Sequence, residues 1–181
     1  MIIGLTGYYC SGKDYAAKYL ESKGFIHFSL SDEIRKELTN RNIEITRTNL
    51  INLGNELRKE HGPNVLAKKV IQNFEPNKNY VISSIRNIHE ALELKKLGNF
   101  KLINVESPIE IRFGRINERD REEDPKTIEE LKEKEKVEQS SDESKQQLHK
   151  IKEMSDITIL NDSTLEILYE RVQSTVNNLE S

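Results

Sequence analysis

The apolar run at residues 2–6 is short and ends at Gly7, which predicts a buried strand. Ala16, Ala17, Tyr19 and Leu20 then follow at helical spacing within 12–23. A second strand is expected over 25–29, and after it a helix carrying Ile34 and Leu38 with Ser31 as its N-cap. Leu50, Leu53 and Leu57 mark another helix, and Val65, Leu66, Val70, Ile71 and Phe74 a third. Strands are expected at 80–84 and 101–106, with a helix over 88–98 between them. The chain closes on a strand at 157–160 and an amphipathic helix bearing Leu165, Leu168, Val172, Val176 and Leu179. Strands alternating with helices predict an α/β fold in three layers, a parallel sheet covered on both faces.

Residues 108–154 break this pattern. Arg112, Arg115, Arg119 and Arg121 come first, then a charged stretch over 126–153 with few apolar positions: Ile128, Leu131, Val137, Leu148 and Ile151. Such a run reads either as a solvated helical pair or, given its arginines, as a helical lid over about 112–154 that closes on phosphates. Arg112 itself reads as a helix-surface residue.

Composition narrows the class. The 181 residues suit a single domain, and 35% hydrophobic residues suffice for one core. A net charge of -3 argues against nucleic-acid binding through a basic surface. One cysteine, Cys10, excludes an internal disulfide framework and a thiolate metal cluster, and implies a reducing, cytoplasmic setting. No apolar stretch approaches the roughly 18 residues of a membrane span, and the N-terminus lacks a basic leader. His27, His61, His89 and His149 show no metal-ligand spacing.

The chemistry begins at residue 7. Gly7-Tyr8-Tyr9-Cys10-Ser11-Gly12-Lys13-Asp14 has the G-x-x-x-x-G-K spacing of a Walker A phosphate loop, between a predicted strand and a predicted helix. The glycines let consecutive N–H groups turn toward an anion, the helix start adds its dipole, and Lys13 supplies a mobile charge for β- and γ-phosphates. Cys10 reads as a loop residue whose backbone does the binding. Asp14 stands where Ser or Thr is usual. Its carboxylate is either a hard ligand for Mg²⁺ or the mark of a site that binds nucleotide without catalysis.

Gly-Leu-Thr-Gly before the loop, Ser31-Asp32 with Arg35, Leu57-Arg58, the run Arg119-Asp-Arg121-Glu-Glu-Asp124-Pro125 and the late Ser155-Asp156-Ile-Thr-Ile-Leu-Asn161 add a resemblance. Together they resemble the archaeal adenylate-kinase-related and dephospho-CoA-kinase-like nucleotide kinases, over nearly the whole chain. Gly-Lys-Asp and Ile85-Arg86 followed by Glu90 are also similar to deoxynucleoside monophosphate kinases and phosphomevalonate kinases. The resemblance implies a P-loop NTPase fold, with acceptor-binding helices over 31–75. It implies that residues 7–15, Tyr15 included, hold ATP with Mg²⁺ at Asp14, and that Asn161 lies beside the adenine. Asp32, Arg35, Arg58 and Arg86 would converge on a small-molecule nucleotide acceptor, and Arg115, Arg119 and Arg121 would neutralise the moving phosphoryl group. A monomer or homodimer is expected.

One departure stands out. Related kinases often carry an Asp at the end of the third strand, where this chain has Ser83-Ser84, so Asp14 is a candidate to supply the lost charge. Two enzymatic readings follow. A nucleoside monophosphate acceptor needs arginines and no base, whereas the ribose hydroxyl of dephospho-CoA needs a base, for which Asp32 is the candidate. Asp32 is otherwise an ordinary acid near a helix start. A nucleotide-dependent switch is a third reading. Asn77-Lys78-Asn79-Tyr80 does not supply the guanine-reading Asn-Lys-x-Asp such GTPases need, and a switch leaves the acceptor-side arginines unexplained.

Overall fold

The computed structural model describes residues 1–119 and 124–180. Five strands form one all-parallel sheet in the order β2-β3-β1-β4-β5, with β1 (Ile2–Thr6) at its centre, flanked by β3 (Tyr80–Ser83) and β4 (Phe100–Glu106). β2 (Ile26–Ser29) and β5 (Ile157–Leu160) close the two edges.

Side-chain alternation along the strands divides the core in two. Ile2, Tyr80, Ile82 and Leu102 face α2 (Leu30–Asn40), α3 (Arg47–His61), α4 (Val65–Ile71) and α5 (Ile88–Lys95). Ile3, Leu5, Val81, Ile103 and Val105 face α1 (Lys13–Ser22) and α9 (Leu165–Glu180). Both faces are covered, so the three-layer α/β architecture holds. Tyr19 and Tyr169 stack at 4.6 Å where α1 meets α9.

Two local expectations change. Ser29, not Ser31, stands at the N-cap of α2, because β2 runs into the helix with no intervening loop. The Ser29 hydroxyl makes no cap bond and donates to Ser84 Oγ at 3.2 Å. The second concerns residues 112–154, which hold α6 (Ile109–Arg119), α7 (Ile128–Lys136) and α8 (Leu148–Glu153). α8 is neither solvated nor a lid, for Ile151 is fully buried in the same core as Ile2 and Leu102. Only α6, α7 and the connection up to Gln147 are left for a lid. Among the described residues no helix is long and apolar enough to cross a membrane.

Candidate active site

β1 ends at the C-terminal edge of the sheet, beside the point where the chain order of neighbouring strands reverses, the usual ligand crevice of open α/β sheets. Residues 7–12 form the loop there, with Gly7 at φ 148°, Cys10 at φ 57° and Gly12 at φ 99°. A Cβ on Gly7 would stand 2.4 Å from the Val105 carbonyl, and one on Gly12 would stand 2.1 Å from Asn161 Nδ2, so neither position admits a side chain. Gly12 caps α1 without a side-chain bond, which leaves first-turn N–H groups for an anion. The buried Ser11 hydroxyl has no hydrogen-bond partner among the described residues. A cradle that excludes side chains, an uncapped helix start and an orphaned hydroxyl together fit the phosphate tail of a nucleotide.

Lys13 is buried, and burial pushes its amine below the ordinary value, opposed by Asp14, whose Oδ2 lies 3.6 Å from Nζ. Asp14 is open to solvent, as is Tyr15. Among the described residues no cluster of three His, Cys, Asp or Glu could hold a metal by itself, so a cation at Asp14 needs phosphate oxygens and water to complete its shell. Burial holds the Cys10 thiol above its ordinary value despite Arg119 and Lys13, so the neutral thiol is retained and the carbonyl is the working group.

α6 presents Arg112, Arg115 and Arg119 at i, i+3 and i+7, one helical face, and that face meets the loop. Arg112 is therefore not a surface residue. It is buried, pairs with Glu135, and donates to the carbonyls of Ser107 and Tyr9 at 2.9 and 3.3 Å. Arg115 donates to the carbonyls of Cys10, Ser11 and Asn161, to Asn161 Oδ1 and to Ser107 Oγ, over 3.2–3.5 Å. Asn161 Nδ2 donates to the Ser11 carbonyl at 2.8 Å. Arg115 and Asn161 thus brace the loop from behind. Arg119 pairs with Asp124 at 2.7 Å and with the Tyr9 hydroxyl, and its guanidinium lies 4.7 Å from the Tyr9 ring centre. Tyr8 and Tyr9 carry this docking: Tyr9 donates to Asp124 at 2.8 Å, and Tyr8 accepts from Gln139 at 3.0 Å. Arg121 lies outside the described residues.

The acceptor-side residues do not converge as expected. Each arginine is tied to a different carboxylate. Arg35 pairs with Asp32 at 2.7 Å on the open surface of α2. Arg58, 1% exposed, pairs with the fully buried Glu90 through Nη2 at 2.8 Å and Nε at 2.9 Å. The other Glu90 oxygen accepts the backbone N–H groups of Arg86 and Asn87 at 2.9 and 3.1 Å. Arg58 therefore holds the turn that presents Arg86. The Arg86 side chain reaches Glu138 at 3.0 Å, and Arg47 reaches the same carboxylate at 2.6 Å.

Glu138 and Arg47 were missed from sequence. Glu138 is one acid in a long charged run, and tertiary bonds bring it to the site: the Gln147 N–H donates to the Arg86 carbonyl at 2.8 Å, and Asn87 Nδ2 donates to the carbonyls of Glu143 and Lys145 at 2.6 and 2.8 Å. Ser83 and Ser84 do not act as carboxylate substitutes: Ser83 bonds His27 Nε2 at 2.8 Å and Ser84 bonds Ser29.

A parallel sheet with a phosphate loop after its central strand and an arginine-bearing helix against that loop defines a P-loop kinase-like domain. The AAA domain family matches residues 3–141. The chain also aligns with the UPF0200 protein of Thermococcus onnurineus at 31% identity, over 99% of this chain and 98% of that one. With the UPF0200/UPF0201 protein of Archaeoglobus fulgidus it shares 34% identity over 95% of its own length and 54% of the relative's, so it spans about half of that protein. The chain belongs to the UPF0200 family and carries the AAA domain of the P-loop kinase-like kind. Among solved structures, shikimate kinase from Aquifex aeolicus superposes with a TM-score of 0.58 at 15% identity, covering 98% of this chain and 97% of that one. APS kinase CysC of Mycobacterium tuberculosis gives 0.56 at 18%, covering 99% and 97%. At these identities the likeness is one of fold.

Proposed function

We propose that this protein is an ATP-dependent phosphotransferase that moves the γ-phosphoryl group of ATP-Mg to a nucleoside or deoxynucleoside monophosphate. The observation that carries this is the proximity of the two charges such a reaction needs. Lys13 lies in the loop that follows β1 and Arg86 in the turn that follows the neighbouring β3, where Thr6 Oγ1 donates to the Ile85 carbonyl at 2.9 Å, so both charges leave adjacent strands at one edge of the sheet. A donor phosphate at Lys13 and an acceptor phosphate at Arg86 would then be neighbours.

In this reading the loop N–H groups and Lys13 hold the β- and γ-phosphates, and Asp14 faces the metal. When bound, ATP-Mg supplies the transferable phosphoryl group and a cation on its oxygens. The chain's own work is alignment and charge. Arg119 lies over the loop, α6 and α7 form the part that excludes water, and Arg115 with Asn161 keeps the loop in shape. These roles separate the two arginines. Arg119→Ala should lower kcat by roughly 10²- to 10³-fold with a smaller effect on the KM for ATP, as loss of a transition-state charge does. Arg115→Ala should weaken ATP binding and loop order together. Equal changes in kcat and KM for both variants would remove the distinction.

The acceptor is tested by turnover with ATP-Mg against AMP, GMP, CMP, their deoxy forms and dephospho-CoA, with Asp32→Asn alongside. In the monophosphate reading Asp32, 2.7 Å from Arg35, serves to orient that arginine and not as a base. Asp32→Asn is then expected to change acceptor KM modestly and leave kcat without a base-like pH dependence. A loss of about 10²-fold or more in kcat, with turnover of dephospho-CoA and of no monophosphate, would establish the hydroxyl acceptor instead.

A further inference from the structure

Cys10 stands in the middle of the phosphate loop at φ 57°, a left-handed backbone that a residue with a side chain keeps only under constraint. The peptides on either side of it are both held from α6. The Tyr9 carbonyl accepts from Arg112 Nη1 at 3.3 Å, and the Cys10 carbonyl accepts from Arg115 Nη1 at 3.2 Å. The two arginines sit about one helical turn apart. Across a trans peptide the C=O of one residue and the N–H of the next point in opposite directions. Fixing the Tyr9 carbonyl toward α6 therefore turns the Cys10 N–H away from α6 and into the loop. The Ser11 N–H is already given to the Tyr8 carbonyl at 3.1 Å, which leaves that of Cys10 as the donor this contact can aim at an anion.

Arg112 does more than pair with an acid. Its Nε donates to the Ser107 carbonyl at 2.9 Å, Nη1 to the Tyr9 carbonyl and to Glu135 Oε1, and Nη2 to Glu135 Oε2 at 3.3 Å. The guanidinium also lies 5.4 Å from the centre of the Tyr8 ring. Glu135 belongs to α7 and, like Arg112, is buried. Stability alone does not call for this pair, since apolar side chains of similar volume often serve a buried position as well. An apolar pair would leave the Tyr9 carbonyl unheld.

We propose that Arg112 is a positioning residue for the donor's phosphates: held by Glu135 of α7, it fixes the Tyr9–Cys10 peptide so that the Cys10 N–H faces the bound anion. Docking of α7 and readiness of the loop are thereby coupled. The proposal rests on the phosphate-binding half of the proposed function and not on the transfer step.

Cys10 is the single cysteine of the chain, so labelling cysteine with ¹⁵N gives one backbone amide signal, that of Cys10. ADP without metal is the probe. In the parent, ADP should move this signal downfield, as donation to a phosphate oxygen does. The double variant Arg112→Met with Glu135→Gln removes both charges together and strands neither. By calorimetry it should bind ADP about tenfold more weakly than the parent, the scale of one hydrogen bond to a charged group, and its Cys10 signal should move less. If it does not fold, Arg112→Lys takes its place. Lysine keeps the charge opposite Glu135 but lacks the fork that serves Tyr9, Ser107 and Glu135 at once, so the same losses are expected. A pair that only stabilises the fold would change the melting temperature and leave both readouts of the folded protein alone. A folded variant with the parental ADP affinity and Cys10 shift, or a parent whose Cys10 amide ignores bound ADP, would overturn the proposal. A parent that responds to ADP as expected but transfers no phosphoryl group would sink only the kinase reading, and a working kinase whose variants bind ADP like the parent only this one.

Discussion

Replacing Lys13 with methionine should cut turnover by roughly 10³-fold or more, the scale of removing a preorganised charge from a transferring phosphoryl group. The fold should survive, for a reason that runs against the usual view of this lysine as a solvent-facing arm. Lys13 is buried, and its amine is lowered from its ordinary value of 10.5, chiefly by burial. The folded state therefore disfavours the charged amine until phosphate arrives. Below the folded-state pKa the penalty is fully present, and it fades as pH rises through that value toward 10.5. Lys13→Met removes the penalty. The variant should melt at or above the parent's temperature near neutral pH, and the difference should narrow at alkaline pH. Calorimetric melting over pH 7–10 and a coupled turnover assay read both halves of the expectation. A correctly folded Lys13→Met protein with near-normal turnover would end the kinase reading.

Arg58→Met should act mainly on stability. Arg58 and Glu90 are 1% and 0% exposed, and the other Glu90 oxygen holds the N–H groups that open α5. Removing the arginine leaves a buried carboxylate without its cation, which costs about 3–5 kcal/mol. In a chain of this size that corresponds to a fall in melting temperature of roughly 6–20 °C. Glu90→Gln in the same protein should restore much of the loss, because glutamine still accepts the two backbone N–H groups and carries no stranded charge. If Arg58 instead binds the acceptor directly, Arg58→Met will melt within a degree or two of the parent and lose acceptor affinity. Melting curves and acceptor KM on the single and double variants separate these outcomes.

Elements were legible in the sequence where one local cause sufficed. Residues 2–6 form a strand because their apolar side chains must be buried on both faces, and residues 7–14 form a phosphate loop because glycine spacing and a helix start act within eight residues. The same holds for β5 and α9. Ser31 was misplaced as a cap because the choice between Ser29 and Ser31 depends on how closely β2 abuts the helix, which propensity does not encode. The arginine face of α6 was in fact legible, since 112, 115 and 119 share one helical side. Arg112 shares that spacing and, with it, a buried contact to the loop at the Tyr9 carbonyl.

Charge pairing across the fold was not legible. Arg58 finds Glu90 across 32 residues, Arg86 finds Glu138 across 52, and Arg47 finds it across 91. In a chain with 28 basic and 31 acidic residues, no spacing rule says which carboxylate each guanidinium will meet. Sequence alone determined the parallel α/β frame and the place of the phosphate loop, because hydrophobic periodicity and glycine geometry are local. Only the tertiary structure decided which arginines brace the loop, which one holds a turn, and which two face a carboxylate beside Lys13. Ion pairs form between whatever the packed backbone brings within a few ångströms, and that proximity exists only once the sheet and its helices have assembled.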